Sequence, residues 1–208
     1  MSSDLEIDNL PNRLTLMRVA LVPVLVACLW LTKFPYESLI PYEHALNWTA
    51  AWIFTVASIT DFFDGYIARK RGIVTVFGSF LDPIADKFLV VSSLIMLLSL
   101  ERVNEIVVIT LVLRELYMTS LRLLAMNEGI HVEVNWLGKW KTGFQMVSIP
   151  LLMVYDDWWI VPMGLIGTIL IYISSFLSLW SAFIYSLGLV NKLKQNRKMK
   201  KEQKNGSK

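Results

Sequence analysis

Residues 60–87 read TDFFDGYIARKRGIVTVFGSFLDPIADK, with long apolar runs on both sides. Four aspartates fall in this stretch: Asp61, Asp64, Asp82 and Asp86. On insertion scales a charged side chain near the bilayer centre costs about 2.5–3.5 kcal/mol. Four carboxylates in such surroundings require something positive to meet them. Asp61 and Asp64 are three apart, and Asp82 and Asp86 are four apart, so each pair shares one face of a helix. The turn between the two helices is short and contains Gly72. Antiparallel neighbours are therefore expected, with all four carboxylates converging on one small volume.

Converging carboxylates raise one another's pKa, and burial raises it further. Protons or metal ions must neutralise them. All-oxygen donors suit Mg²⁺ or Mn²⁺ and do not suit zinc. Two divalent ions balance four carboxylates, and a two-metal site clamps the attacking and leaving oxygens of a phosphoryl displacement. Gly65 and Gly78 allow a ligand to approach the backbone closely. Ala68 keeps the same face low, and Arg69 offers a planar fork suited to phosphate. A small acidic site with an arginine on its rim describes a binder of nucleotide diphosphates.

Composition sets the surroundings. Of 208 residues, 55% are hydrophobic and only 18% charged, against about 25% charged in an ordinary soluble domain. The apolar residues are arranged in runs, which is a transmembrane signature. Six spans are expected, at about residues 14–31, 48–69, 79–100, 106–125, 142–155 and 161–187. The fifth is short enough to be re-entrant, unless its helix starts at Trp136 or Leu137. Arg69, Lys70 and Arg71 lie in one connection, and Lys139 and Lys141 in another. Both share a side with a basic tail over residues 191–208, which carries eight cations against Glu202 alone. The positive-inside rule then puts both termini in the cytoplasm. The tail either touches anionic lipid or is a solvated end that fixes orientation. Residues 1–190 form the transmembrane domain and 191–208 the tail. Trp30, Trp48, Trp52, Trp158 and Trp159 fit an interfacial aromatic belt rather than a surface for stacking bases, so no nucleic-acid partner is expected. Cys28 stands alone, which excludes an intrachain disulfide and a two-cysteine metal site. The acidic N-terminus lacks the basic region of a secretory signal. His44 and His131 are read as loop residues without a role.

The second half carries cations in apolar surroundings. Arg114 and Arg122 lie eight apart on one helix and so on roughly the same face, and Lys139, Lys141, Thr142 and Gln145 cluster further on. Arginines within a span need a partner. Glu115 is read as a local partner to one arginine. A phosphate dianion on a substrate would satisfy the rest of the set, while snorkelling at helix ends is the alternative use of the lysines.

The string Asp-x-x-Asp-Gly-x-x-Ala-Arg, eight residues, Gly-x-x-x-Asp-x-x-x-Asp resembles the signature of the CDP-alcohol phosphotransferase family, without gap or substitution. The likeness extends over about residues 9–186. The stretches LRELYMTSLRLLAMNEG (113–129) and WLGKWKTGFQM (136–146) resemble the branch that makes phosphatidylglycerophosphate. The resemblance implies an all-α integral membrane protein of six transmembrane helices, with an active-site cavity facing the cytoplasm. It implies CDP-diacylglycerol as donor, sn-glycerol 3-phosphate as acceptor, and two Mg²⁺ or Mn²⁺ ions on Asp61, Asp64, Asp82 and Asp86. Asp86 would be the base. Asn12, Thr15, Asp64, Gly65, Arg69 and Gly78 would contact the CDP moiety. Arg114, Arg122, Lys139, Lys141, Thr142 and Gln145 would take the acceptor's phosphate. Related enzymes are dimers, so a homodimer among membrane lipids is expected by analogy. A sibling enzyme that uses phosphatidylglycerol as acceptor and a divalent cation transporter are the competing readings.

Overall fold

A computed structural model describes residues 10–34, 40–71, 76–130, 136–158 and 161–206. Within these, the side chains of residues 10–13, 40, 62–71, 76–83, 137, 157–158, 197 and 199–206 are left aside. The described residues are almost wholly α-helical and form six α-helices. They are α1 (Leu10–Lys33), α2 (Glu43–Arg71), α3 (Val76–Ser99), α4 (Glu105–Asn127), α5 (Trp136–Val154) and α6 (Met163–Gly206). A two-residue antiparallel ribbon, β1 (Asp157–Trp158) with β2 (Val161–Pro162), joins α5 to α6 in the register Asp157 to Pro162. The turn with Gly72, and His131, lie outside the described residues.

The helices are longer than their apolar runs. Pro11 sits in the first turn of α1, where its missing N–H costs nothing. Glu43 and Glu105 occupy the first turns of α2 and α4, where a negative charge meets the positive end of the helix dipole. α5 starts at Trp136, so the short span expected over 142–155 becomes a helix of 19 residues. α6 continues through the basic tail to Gly206. Its Lys, Arg, Gln and Met residues are good helix formers, and nothing there breaks the helix.

Two ends close in the same way. At α3, Arg102 N–H donates to Leu97 C=O (3.0 Å) and Glu101 N–H to Leu98 C=O (2.9 Å), with Glu101 at φ 58°. At α4, Ile130 N–H donates to Ala125 C=O (2.8 Å) and Gly129 N–H to Met126 C=O (3.0 Å), with Gly129 at φ 65°. Both are Schellman caps, which satisfy carbonyls that a helix end would otherwise orphan.

The chain divides into two compact units. The first comprises Met1–Glu105 and Met146–Leu170. There α1 packs on α2 and α3. Leu25, Leu29, Phe54, Leu89, Leu94, Leu97, Leu152 and Met153 are fully buried. Arg102, just past α3, ties its ends together. One terminal nitrogen donates to Asn47 Oδ1 (3.3 Å) and Leu152 C=O (3.3 Å), and also meets Met153 C=O. The guanidinium lies over the Tyr155 ring, 5.2 Å from its centroid. Burial pulls the Arg102 pKa down from its usual value, with Asp156 and Glu43 pulling the other way. His44 is not a loop residue. It lies in the first turn of α2, where Nε2 accepts the Trp48 indole N–H (3.0 Å). The ring proton therefore sits on Nδ1, which donates to Asp156 Oδ2 (2.9 Å).

The second unit comprises Ile106–Gln145 and Ile171–Lys208. Met118, Ala125, Ala182, Tyr185 and Leu189 form its apolar cluster, with Leu121, Ile130 and Leu193 packed against it. In this unit α6 inverts the pattern of a water-soluble helix. Ser174, Ser175, Ser178 and Ser181 are buried, while Phe176, Leu179, Trp180 and Phe183 are exposed. Small residues inward and large apolar residues outward suit a helix whose solvent is hydrocarbon. Among the described residues, Leu14–Lys33 and Met163–Asn196 are long and apolar enough to cross a membrane.

Candidate active site

Asp61 lies on α2 and Asp86 on α3, both in the first unit and both partly buried. Arg18 on α1 is 2% exposed and contacts Asp61 Oδ1 through Nη1. Its Nε donates to Ala57 C=O (3.3 Å), one turn earlier on α2. An arginine in an apolar helix requires a carboxylate, and α2 presents one at the matching height. Thr15 lies three residues before Arg18, on the same face of α1, and is also buried. The first unit thus sets an arginine from α1 against the start of the acidic motif, with a buried threonine one turn before it on the same helix face. The backbone places Asp64, Gly65 and Arg69 on α2, and Gly78 and Asp82 on α3. Their side chains, and that of Asn12, lie outside the description. The carboxylates fit hard divalent ions by their chemistry. Ligating carboxylates are themselves held by hydrogen-bond donors, and Arg18 is such a donor on Asp61.

The second unit holds the cationic set. Arg114 on α4 is buried, as are Lys141 and Gln145 on α5. Arg114 donates through Nε to Ser178 C=O on α6 (3.2 Å) and through Nη1 to Glu115 Oε1 (3.0 Å). Lys141 Nζ contacts the same Glu115 oxygen. Ser174 Oγ on α6 donates to Lys141 C=O (3.0 Å). Three helices therefore converge on one buried polar cluster. Arg114 also borders a groove of about 490 Å³, whose other walls include Ile109, Leu113, Tyr117, Phe183 and Ser186. Tyr117 Oη and Ser186 Oγ, 3.0 Å apart, close one side of it.

The rest of the expected set is spread more widely. Arg122 is exposed where Arg114 is buried. Eight residues turn a helix by about 800°, which leaves Arg122 some 80° off the Arg114 face. Lys139 is exposed. Thr142 is exposed too, and its hydroxyl donates to Gly138 C=O (3.1 Å) within its own helix. The sequence reading missed Arg18 as the partner of Asp61, and it missed Ser174 and Ser178. The signal for Arg18 was available, since a cation inside the apolar run of α1 needed an anion. Nothing in the spacing pointed to the serines.

Residues 8–180 match the family described as CDP-alcohol phosphatidyltransferase. The chain belongs to this family. Among relatives of the CDP-alcohol phosphatidyltransferase chain is a protein of Rickettsia bellii (strain RML369-C) named CDP-diacylglycerol--glycerol-3-phosphate 3-phosphatidyltransferase. It is 38% identical over 179 residues, covering 86% of this chain and 93% of its own length. A Bacillus subtilis (strain 168) protein of the same name is 40% identical, covering 71% of this chain and 78% of its own. One from Haemophilus influenzae (strain ATCC 51907 / DSM 11121 / KW20 / Rd) is 37% identical, covering 85% and 91%. This CDP-alcohol phosphatidyltransferase is thus a transferase of phospholipid biosynthesis.

Proposed function

We propose that the chain transfers the phosphatidyl group of CDP-diacylglycerol to sn-glycerol 3-phosphate, giving phosphatidylglycerophosphate and CMP. The observation that carries this reading is its likeness, over 78% to 93% of their length, to relatives named for that donor and acceptor. The buried pair Arg114 and Lys141 supports it, because a phosphorylated acceptor needs buried cations.

In this reading Asp61, Asp64, Asp82 and Asp86 hold two divalent ions, Mg²⁺ or Mn²⁺. Bound there, the ions supply neutralisation of the donor's pyrophosphate and of the charge that grows on departing CMP. Asn12, Thr15, Asp64, Gly65, Arg69 and Gly78 grip the cytidine nucleotide. Arg18 keeps Asp61 aimed. Arg114, Lys141 and Gln145 seat the acceptor's phosphate, with Arg122, Lys139 and Thr142 drawing it in from the surface. Asp86 accepts the proton of the acceptor hydroxyl. That oxygen bonds to the β-phosphorus, the bond from phosphorus to the bridging oxygen breaks, and CMP leaves with the electron pair.

The same reading sets six spans in a bacterial plasma membrane, with both termini and the catalytic cavity cytoplasmic. Residues 1–190 are the catalytic domain, residues 191–208 a basic tail at the lipid surface, and the active form a homodimer. The diacylglycerol tail then stays in lipid while its headgroup reaches the site.

The test is CMP release by purified protein in liposomes, given CDP-diacylglycerol and a panel of acceptors. Glycerol 3-phosphate should support turnover, and EDTA should abolish it. Preference for phosphatidylglycerol or free glycerol would refute the acceptor assignment. Metal flux without nucleotide would refute the enzyme reading altogether.

A further inference from the structure

The two buried cations assigned to the acceptor's phosphate already share an anion. Glu115 Oε1 is 3.0 Å from Arg114 Nη1, and Lys141 Nζ contacts the same oxygen. The three side chains differ in how firmly they are held. Arg114 is 7% exposed, and its Nε is fixed on Ser178 C=O independently of Glu115. Lys141 is 4% exposed, and its backbone is fixed by Ser174 Oγ. The Glu115 side chain is 25% exposed, the most accessible of the three, and its carboxylate meets both of these cations. The carboxylate is thus the one member that can leave while the others stay.

Charge favours the exchange. Arg114, Lys141 and Glu115 sum to one positive charge. A phosphate monoester near pH 7 carries between −1.5 and −2 and has three acceptor oxygens, whereas Glu115 now offers the pair a single oxygen. The carboxylate fills the place that an acceptor phosphate would take.

We propose that Glu115 is a displaceable counter-ion, which holds Arg114 and Lys141 together until the acceptor's phosphate takes them over. This rests on the acceptor reading given above and makes Glu115 a specificity-determining residue. An uncharged alcohol cannot displace the carboxylate, so it finds the cations occupied. A phosphate dianion can.

The experiment compares wild type, Glu115→Gln and Glu115→Asp in liposomes, with glycerol 3-phosphate varied and inorganic phosphate as competitor. Glutamine keeps the shape and removes the competing charge. The expected result is a KM for glycerol 3-phosphate about tenfold lower, the difference between a charge-assisted and a neutral hydrogen bond. Inhibition by inorganic phosphate should strengthen by a similar factor, with kcat within about twofold of wild type. Glu115→Asp, whose shorter arm holds one cation rather than two, should shift both quantities in the same direction by less, and it decides the matter if Glu115→Gln does not fold. A raised KM, or unchanged phosphate inhibition, in either folded variant overturns the proposal alone and leaves Glu115 a fixed brace. Wild-type protein that ignores glycerol 3-phosphate and turns over a free alcohol overturns the acceptor reading and this proposal with it.

Discussion

Gly167 separates two opposing effects of adding one methyl group. An added Cβ there would sit 2.8 Å from Leu152 Cγ and 3.2 Å from Leu151 Cβ. Carbon atoms pack comfortably at about 3.5–4.0 Å. The shortfall against Leu152 is about 0.7–1.2 Å, and Leu152 is fully buried at a branched carbon with no room to swing. Overpacking of this kind costs about 1–3 kcal/mol. Against that, alanine is favoured over glycine inside a helix by about 1 kcal/mol. Gly167→Ala should therefore lie between neutral and about 2 kcal/mol destabilised. Gly143 and Gly188 are helical glycines whose added Cβ meets nothing within 4 Å. Alanine there should deliver the full gain of about 1 kcal/mol. Because the propensity term is common to all three, the difference between them reads packing alone. Thermal unfolding in detergent measures it. For a chain of this length 1 kcal/mol moves Tm by about 2–4 °C, so Gly143→Ala and Gly188→Ala should melt that much higher than wild type. Gly167→Ala should melt at or below wild type. In a Leu152→Ala background the 2.8 Å clash is gone and only the milder 3.2 Å approach to Leu151 Cβ remains, so the effect of Gly167→Ala should shift in the stabilising direction. If Gly167→Ala melts with Gly143→Ala, or if Leu152→Ala leaves its effect unchanged, the close approach of α5 and α6 at this point is refuted.

Four further outcomes are expected. Arg114→Ala should raise KM for glycerol 3-phosphate by about 10- to 150-fold, the worth of a hydrogen bond to a charged group, with a smaller change in kcat. Asp86→Asn should remove CMP release while the protein still purifies folded, and retained turnover would exclude Asp86 as the base. Arg102→Ala should lower stability by about 2–3 kcal/mol, because Asn47 and the Leu152 and Met153 carbonyls at the end of α5 lose a charged donor; Arg102→Lys should restore part of it, as read by Tm. Glu101→Gly should raise Tm by removing a left-handed penalty of about 1–2 kcal/mol, and a lower Tm would contradict the φ of 58° at that residue.

Apolar runs made the helices legible, and their ends were harder to read. α1 begins at Leu10 and α2 at Glu43, each four or more residues ahead of the apolar stretch, because capping and dipole terms carry a helix beyond its hydrophobic part. α6 runs on through the cations, since Lys and Arg are poor lipid solutes but good helix formers. Of the site, the acidic motif was legible because its spacing is local. Arg18 with Asp61, and Lys141 with Glu115, are long-range pairs whose partners are chosen by helix packing. Arg114 and Glu115 are adjacent in sequence, a spacing that does not normally bring side chains face to face on a helix. They meet at the same Glu115 oxygen that Lys141 contacts from α5. Arg122 shows the reverse error, since an eight-residue spacing read as one face drifts far enough to leave the interior.

α6 carries one further consequence. Beyond the serines it runs without interruption to Gly206, and Asn196 Nδ2 donates to Glu128 C=O (3.3 Å) at the end of α4. A continuous helix transmits angle as well as distance. One alanine inserted after Gly188 would rotate everything beyond it by about 100°, turning Asn196 away from its carbonyl; seven inserted residues would return it to within about 20°, one turn-pair further out. The backbone of the tail is therefore held in phase with the serine face, as the continuation of one helix rather than a loose end.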